Sequence, residues 1–245
     1  MKINILKALL ESGLAQSEQE ARGLVLSGKV MSHDKMIDKP GTLISDLSSL
    51  RLRNHKTDIA RSAAKIRPAF SHWNIEIQNK ITMDVGSSTG GFVQVLLENN
   101  ARTVFAVDVG YGLLNPALRQ SEQVIILERT RIEDLTIEQL PASVEFFTVD
   151  VSFTSLMNVL PNIHTLCSNN ARGLALLKPQ FEISRELAVN ALQNGILTDQ
   201  NLREEVILKI IEQLPSVGFT LLNRHAAFLA GTKGNLEEIL YLQKN

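Results

Sequence analysis

The feature that most constrains the fold of this chain is a series of short apolar segments that alternate with helical patterns from Lys80 onward. The segments read VFAVD, VIILE, VEFFTVDV, LALLK and FTLLN, and each has the length and hydrophobicity of a buried strand. Polar helical stretches lie between several of them. Because strands that alternate with helices usually pair in parallel, the sequence predicts a mostly parallel α/β sheet over residues 80–245.

A glycine-rich loop joins the first two strands of this series. The stretch ITMDVGSSTGGFVQVLLENNARTVFAVDVG, residues 81–110, predicts a strand, a loop, a helix and a second strand. Asp84 ends the first strand and Asp108 ends the second, with Gly86, Gly90 and Gly91 in the loop. Ligands of open α/β sheets bind at the carboxyl ends of strands, where glycine lets the backbone approach them closely. The pattern therefore indicates a nucleoside-containing cofactor.

The spacing of the glycines bears on which cofactor this is. GSSTGG is neither the G-x-G-x-x-G of a dinucleotide site nor a phosphate loop with Gly-Lys-Ser/Thr. S-adenosylmethionine has no diphosphate, and it needs acceptors for its ribose and a carboxylate near its ammonium group. Asp108 suits the ribose and Asp84 the ammonium, so S-adenosylmethionine is favoured. A dinucleotide, or a loop that binds no ligand, remains an alternative at this point.

Two further polar residues follow later strands. Asp150 ends VEFFTVDV, and it either adds a third carboxylate to the ligand edge or caps a helix formed by SFTSL. Lys178 ends LALLK, immediately before Pro179. A partly buried ammonium loses hydration, which favours the neutral amine and makes such a lysine a usable base. An ordinary exposed lysine at the end of a strand is the alternative.

Composition excludes several classes of protein. The 245 residues include 25 basic and 26 acidic ones, so any attraction to nucleic acid must be local. Cys167 is the single cysteine, which rules out an intramolecular disulfide and a multi-cysteine zinc site, and no metal is expected. No apolar stretch approaches the roughly 18 residues of a membrane helix, and the first residues lack a signal-peptide core. We expect a cytoplasmic protein without a membrane segment.

The N-terminal segment is more basic than the rest. Residues 1–70 contain twelve Lys and Arg and seven Asp and Glu. Two short helical patterns, the second preceded by a capping box of Ser17 and Glu20, lead to a predicted hairpin. Residues 46–74 are predicted to be mainly a linker. The cations of the segment either follow a phosphate backbone or form a solvated surface, and they are Lys7, Arg22, Lys29, Lys35 and Lys39.

The order of residues in this segment resembles a known RNA-binding domain. SGLAQSEQEARGLVLSGKV followed by KMIDKPGTLI is similar to the alpha-L RNA-binding domain of ribosomal proteins and RNA-modifying enzymes. The resemblance implies a small α+β RNA-binding domain over residues 1–60. The segment 61–79 is then a linker and the start of the catalytic domain.

The whole chain resembles one family. DVGSSTGGF, AVDVGYG, ERT, VDVSFTSL, LLKPQFE, SRE and KGNLEE, in this order, are similar to the TlyA (haemolysin A) family, which joins an alpha-L domain to an FtsJ-like methyltransferase domain. The resemblance implies a Rossmann-like sheet and S-adenosylmethionine-dependent methylation of ribose 2'-hydroxyls in ribosomal RNA, with that RNA or the ribosomal subunits as partners. The expected cofactor-binding residues are Asp84, Gly86, Ser87, Ser88, Thr89, Gly90, Gly91, Phe92, Asp108 and Asp150.

The same resemblance implies a catalytic tetrad and reveals departures from the family pattern. FtsJ-like enzymes use Lys, Asp, Lys and Glu, which match Lys65, Asp150, Lys178 and Glu237. ARSAAK, residues 60–65, keeps Arg61 as an expected RNA contact but has Ser62 and Ala63 where the family has glycines, which makes the placement of Lys65 uncertain. The segment LAVNALQNGILTD lacks the usual lysine, and Arg131 replaces an asparagine. An RNA-binding relative with weak or lost activity, or a membrane-active haemolysin, is the alternative function.

Overall fold

The computed structural model describes residues 2–26, 28–32, 35–52, 55–231 and 234–245. Contacts divide the chain into two compact units, Met1–Asp58 and Ile59–Asn245. Ser27 and Lys233 of the quoted motifs lie outside the described residues, as do His33 and Asp34 of the predicted hairpin and the side chain of Lys35. No helix in the described ranges is both long and apolar enough to cross a lipid bilayer.

The first unit consists of two short helices and small antiparallel sheets. Its helices bury Ile5, Leu9, Ala21 and Val25 completely, at the spacing of one helix face. The backbone N–H of Glu20 donates to Ser17 Oγ at 3.1 Å, while the Glu20 carboxylate accepts from the N–H of Gln16. The predicted cap is therefore present, and residues 30–32 pair antiparallel with residues 35–37, as the predicted hairpin requires. The elements are β1 (Ile3–Asn4), α1 (Ile5–Glu11), α2 (Glu18–Leu26), β2 (Val30–Ser32), β3 (Lys35–Ile37), β4 (Leu43–Ile44) and β5 (Leu50–Leu52), with β1 paired to β4 and the order β3-β2-β5 in the other sheet.

The second unit begins within a helix and continues with alternating strands and helices. Its elements are α3 (His55–His72), β6 (Ile81–Val85), α4 (Gly91–Glu98), β7 (Thr103–Asp108), α5 (Pro116–Arg119), β8 (Val124–Glu128), β9 (Val144–Val149), α6 (Leu156–Leu166), β10 (Cys167–Leu177), α7 (Pro179–Glu182), α8 (Arg185–Ala191), β11 (Leu192–Gln193), β12 (Ile196–Leu197), α9 (Gln200–Gln213), β13 (Phe219–Ala226) and β14 (Glu238–Lys244). In the described part of this unit, seven strands form one sheet in the order β13-β14-β10-β9-β6-β7-β8.

The order of the strands creates the ligand edge. Strands β10, β9, β6, β7 and β8 pair in parallel, whereas β14 runs antiparallel to β10 and β13 on either side of it. After β6 the chain proceeds to β7 and β8 on one side, then returns to β9 on the other. Ligands of open α/β sheets bind at such a switch point, at the carboxyl ends of the strands. The predicted Rossmann-like α/β class is confirmed.

The predicted linker was wrong over much of its length, because residues 55–72 form helix α3. Ile59, Ala63, Ile66 and Phe70 are all buried and follow the spacing of one helix face. The small side chain of Ala63 weakens this pattern in the sequence. Pro68, which lies inside the helix, removes one backbone donor and argues against a helix by local rules.

Strand β14 was absent from the predicted strands. Its sequence EILYLQK follows directly after the predicted motif residue Glu237, and five of its seven residues are buried. The segment LAVNALQNGILTD, which the family resemblance marked as an altered loop, contains part of α8 and the small hairpin of β11 and β12. Both segments depend on contacts with distant parts of the unit.

Candidate active site

Acids and a lysine lie together at the carboxyl edge of the sheet. Asp84 is the last residue but one of β6, Asp108 ends β7, Asp150 follows β9 and Lys178 follows β10. These strands are neighbours in the order β10-β9-β6-β7, so the side chains converge as the sequence predicted. Asp150 is additionally held against β6 because its backbone N–H donates to the carbonyl oxygen of Val85 at 2.9 Å.

The four residues that the family resemblance nominates as a tetrad form a continuous chain of ion pairs. Lys178 Nζ lies 2.5 Å from Asp150 Oδ1, and Lys65 Nζ lies 3.8 Å from Asp150 Oδ2 and 2.7 Å from Glu237 Oε2. Lys65 and Lys178 are each 8% exposed and Glu237 is 4% exposed. The charges of the two buried ammonium groups balance those of the two carboxylates. Charged side chains are buried away from water only when they are paired in this way.

The placement of Lys65 is settled by the packing of helix α3 on the glycine-rich loop. A Cβ atom on Gly91 would lie 2.4 Å from the Cβ of Ser62 and 2.8 Å from the backbone nitrogen of Ala63. Because the residues on both sides of this contact are small, helix α3 can lie close to the glycine-rich loop. Ser62 and Ala63 are therefore compatible with the position of Lys65, which reaches Glu237 and Asp150 despite the loss of the family glycines.

Arg61, one turn before Lys65, holds the connection that carries Glu237. Its guanidinium donates to the carbonyl oxygens of Ala230 and Gly231 at 3.4 and 3.3 Å. The missing side chain of Gly231 leaves room for Glu237, whose Oε1 would lie 2.7 Å from a Cβ there. Arg61, which we expected to contact RNA, thus has a contact within the protein as well.

The surroundings of Asp150 keep it ionised. Burial by itself would raise the pKa of this carboxyl, but the positive charges of Lys178 and Lys65 and the hydrogen bond from Lys178 outweigh that effect and lower its pKa. The alternative role for Asp150, as the cap of a helix formed by SFTSL, is wrong. Helix α6 begins at Leu156, and its cap is Ser155.

Asp84 has the opposite environment. Its Oδ1 accepts a hydrogen bond from Thr148 Oγ1 at 2.7 Å. Its Oδ2 is buried and forms no hydrogen bond of good geometry with the described residues. The backbone N–H of Val93 lowers the pKa of Asp84, but this is the smallest of the effects on it. Burial, reinforced by the negative charges of Asp150 and Asp108, raises the pKa of Asp84 to about 8. Asp84 is therefore mostly protonated at neutral pH.

Asp108 anchors the glycine-rich loop. Its Oδ2 accepts from the backbone N–H of Ser88 at 2.7 Å and its Oδ1 from that of Gly110 at 2.6 Å. Each carboxylate oxygen has a second lone pair, so both oxygens can still accept a hydrogen bond from a ribose hydroxyl. The N–H groups of Gly86 and Ser87 donate to the carbonyl oxygen of Val107, which ties the loop to β7.

Contacts within the protein account for the loop glycines, which the sequence predicted to let a ligand approach the backbone. A Cβ on Gly86, where φ is +82°, would lie 2.5 Å from the carbonyl oxygen of Asp150. At Gly90 a Cβ would meet the Leu118 side chain at 2.3 Å. Phe92 requires a correction, because its ring is buried in the apolar core under α4 and is not available to a ligand. Ser87 and Thr89 are also buried, whereas Ser88, with φ of +46°, is exposed.

Within the first unit, the predicted RNA-binding cations lie at the surface. Lys7, Arg22, Lys29 and Lys39 are exposed, as a phosphate contact requires. Lys7 lies 3.8 Å from Glu11 one turn further along α1, a surface pair that contributes little stability. The side chain of Lys35, the fifth predicted cation, lies outside the described residues.

One residue next to the tetrad was not predicted from the sequence. Lys178 Nζ donates a hydrogen bond to Ser152 Oγ at 2.9 Å. The sequence predicted a helix for SFTSL, in which Ser152 would have no special role. Its position two residues after Asp150 was the available signal, but a serine after a strand is too common to single out.

Comparisons with known proteins show what this chain is similar to. Over 237 residues the chain is 35% identical to the 16S/23S rRNA (cytidine-2'-O)-methyltransferase TlyA of Mycobacterium tuberculosis, covering 96% of this chain and 87% of that protein. A solved structure from Streptococcus thermophilus, provisionally named a hemolysin, has a TM-score of 0.72 and 30% identity over 100% of this chain and 89% of that one. A solved structure from Listeria monocytogenes, provisionally described as an S-adenosylmethionine dependent methyltransferase, has a TM-score of 0.56 at 14% identity. The match covers 75% of this chain and 99% of that one, and it shows that the two proteins share a fold.

The fold and the edge of the sheet thus define a protein of the Rossmann-like methyltransferase class. The family model described as FtsJ-like methyltransferase matches residues 59–244, which is most of the chain. This protein belongs to the FtsJ-like methyltransferase family.

Proposed function

We propose that this protein transfers a methyl group from S-adenosylmethionine to a ribose 2'-hydroxyl of ribosomal RNA. The observation that carries the proposal is the ion-paired chain of Lys178, Asp150, Lys65 and Glu237 beside the carboxyl ends of β6 and β7. A buried lysine next to a nucleoside-binding edge suits the deprotonation of a sugar hydroxyl. The name and activity of the Mycobacterium tuberculosis relative support the same reaction.

The residues at the edge fit the cofactor. Asp84 Oδ2 is a buried acceptor for an ammonium group, and the Asp108 carboxylate retains lone pairs for the ribose hydroxyls. When bound, S-adenosylmethionine supplies an electrophilic methyl group on a sulfonium. Because Asp84 is mostly protonated before binding, pairing with an ammonium group requires it to release its proton.

The tetrad would provide the base and hold it in position. Lys178 would first release the extra proton of its ammonium group to solvent, and as a neutral amine it would then accept the proton of the 2'-hydroxyl while a lone pair of the 2'-oxygen forms the new bond to the methyl carbon. The cofactor would supply the methyl group and keep the electron pair of its carbon–sulfur bond, so charge and electrons balance. Asp150 orients the Lys178 amine, and Lys65 and Glu237 hold Asp150 in place. Such a positioned base contributes roughly 10²- to 10⁴-fold to the rate.

The N-terminal unit would supply affinity for RNA. Its exposed cations can neutralise phosphates without reading the sequence, so binding of ribosomal RNA or subunits should weaken steeply as salt increases. Replacing Arg22 and Lys29 by alanine should reduce the steepness of this salt dependence by about two, one for each lost phosphate contact. Unchanged salt dependence would assign these cations to a solvated surface.

The test of the proposed function is transfer of labelled methyl groups to purified ribosomal subunits and to free ribosomal RNA. We expect label on ribose, detected as resistance of one linkage to alkaline hydrolysis, with wild-type protein and with the control Lys209→Ala. Lys209 is an exposed lysine of α9. Label on a base, or no label on any RNA, would contradict the proposal. RNA binding without methyl transfer would favour the alternative function, that of an RNA-binding relative that has lost methyltransferase activity.

A further inference from the structure

Two acceptors contact the amine of Lys178 in the described part of the chain. Asp150 Oδ1 lies 2.5 Å from Nζ, and Ser152 Oγ accepts a hydrogen bond from it at 2.9 Å. Lys178 is buried, whereas Ser152 is exposed. Ser152 therefore contacts the amine where the site opens to solvent and to a macromolecular substrate.

The backbone around Ser152 is held at both ends. On one side the N–H of Asp150 donates to the carbonyl oxygen of Val85, and on the other the N–H of Leu156 donates to the carboxyl of the half-buried Glu182 at 2.9 Å. Between these anchors Phe153 has φ of +65°, a strained conformation that a bulky side chain rarely adopts. Strain of this kind persists only where the surroundings enforce it, and here it adjoins the residue that contacts Lys178.

The number of acceptors matches the neutral form of the amine. A neutral lysine amine has two N–H groups and one lone pair in a tetrahedral arrangement. If Asp150 and Ser152 each accept one N–H, the lone pair is directed to the remaining position. With Asp150 alone, rotation about the Cε–Nζ bond would place the lone pair in either of two positions, and only one of them would face the substrate.

From this geometry we infer that Ser152 is a positioning residue that orients the lone pair of Lys178 toward the ribose hydroxyl. The inference rests on the proposed function and deepens it. Ser152 accepts the same hydrogen bond before and after the reaction and neither gains nor loses a proton, while Lys178 takes the proton of the 2'-hydroxyl. Ser152 thus acts through Lys178 and has no chemical step of its own.

The experiment compares Ser152→Ala, Ser152→Thr and Ser216→Ala. Ser216 is a matched control, since it is an exposed serine whose hydroxyl donates to the Gln213 carbonyl oxygen at 2.7 Å. We expect Ser152→Ala to lower kcat about 5- to 10-fold, in the range for one lost hydrogen bond, with the KM values for RNA and cofactor unchanged. Ser152→Thr, which keeps the hydroxyl, and Ser216→Ala should stay within twofold of wild type.

A second measurement does not depend on turnover. In protein labelled with ¹³C at the lysine ε-carbons, the Lys178 signal, assigned by its absence in Lys178→Arg, should move in Ser152→Ala and stay in place in Ser152→Thr. A wild-type kcat and an unmoved Lys178 signal in Ser152→Ala would overturn the inference. So would a higher KM for RNA at unchanged kcat, because Ser152 would then contact the substrate itself. If wild-type protein transfers no methyl group, the proposed function fails, and the Lys178 signal alone decides whether Ser152 orders the amine.

Discussion

Two aspartates on neighbouring strands of this sheet have opposite electrostatic environments. Asp84 in β6 and Asp150 after β9 both lie at the carboxyl edge, and their strands pair directly. The ammonium groups of Lys178 and Lys65 lower the pKa of Asp150 despite its burial. Burial raises the pKa of Asp84 to about 8, and no cation among the described residues offsets it.

This difference indicates which charges the protein neutralises itself and which it leaves for a ligand. Asp150 is ionised and paired in the protein alone, so its position is set before any substrate arrives. Asp84 remains mostly protonated until a cation approaches its free oxygen. If the proposed function is correct, the catalytic half of the site is preformed, whereas the cofactor half acquires its ion pair only on binding.

The largest effect that tests this comparison is expected at Lys178. Lys178→Ala should reduce methyl transfer roughly 10²- to 10⁴-fold, because the base is lost. Lys178→Arg should fail as well, since a guanidinium pairs with Asp150 but stays protonated and cannot accept a proton. Single-turnover rates with saturating RNA and cofactor measure the change. A near-native rate for Lys178→Arg would show that this residue serves only as the counterion of Asp150.

A smaller effect, of opposite sign at the two aspartates, is expected on stability. Asp150→Asn leaves Lys178 and Lys65 without a counterion and should destabilise the protein by about 3 kcal/mol at pH 8. Asp84→Asn removes a buried carboxyl and should stabilise it by about 2 kcal/mol. Urea unfolding at pH 5 and pH 8 measures both, with Asp134→Asn as the control at an exposed carboxyl.

The pH dependence follows from the directions of the two pKa shifts. The folded pKa of Asp84 lies above its unfolded value of about 3.9, so the contribution of Asp84 to wild-type stability falls as pH rises from about 4 to 8, and the advantage of Asp84→Asn grows over that range. The folded pKa of Asp150 is lowered, so its contribution is present above about pH 4 and is lost below. If Asp84→Asn and Asp150→Asn changed the free energy of unfolding in the same direction at pH 8, the comparison would be contradicted.

The smallest expected effect concerns cofactor binding. Because Asp84 must lose its proton to pair with an ammonium group, affinity for S-adenosylhomocysteine should rise by up to about tenfold per pH unit from pH 6 to 8 and then level off. Calorimetry in buffers of different ionisation enthalpy should detect the release of up to one proton at pH 7. Asp84→Asn should bind more weakly and without this pH dependence. A flat profile for wild type would place the ammonium group away from Asp84.

Features that depend on adjacent residues could be predicted from the sequence. VIILE forms a strand with the predicted bounds, since an apolar run of strand length needs no knowledge of its neighbours. Asp84, Asp108, Asp150 and Lys178 follow from the same strands, because the last residues of parallel strands share one edge. The cap at Ser17 is equally local.

Helix α3 and strand β14 could not be predicted in this way. The buried face of α3 includes Ala63, whose small side chain is selected by close packing on Gly91 and gives little hydrophobic signal. β14 inserts between β10 and β13, and its pairing depends on residues far away in the chain. The family resemblance indicated Lys65 and Glu237, but not the contacts that hold them.

The sequence by itself therefore determined the strands, the acids at their ends and the residue types available for chemistry, because these depend on short-range patterns. Tertiary structure alone decided that Asp150 is paired while Asp84 is not, that Ser152 contacts Lys178, and that the loop glycines accommodate other parts of the protein. The physical reason is that charge interactions and burial depend on distances between side chains from separate strands and helices. Those distances are set by packing, which a linear pattern of residues does not contain.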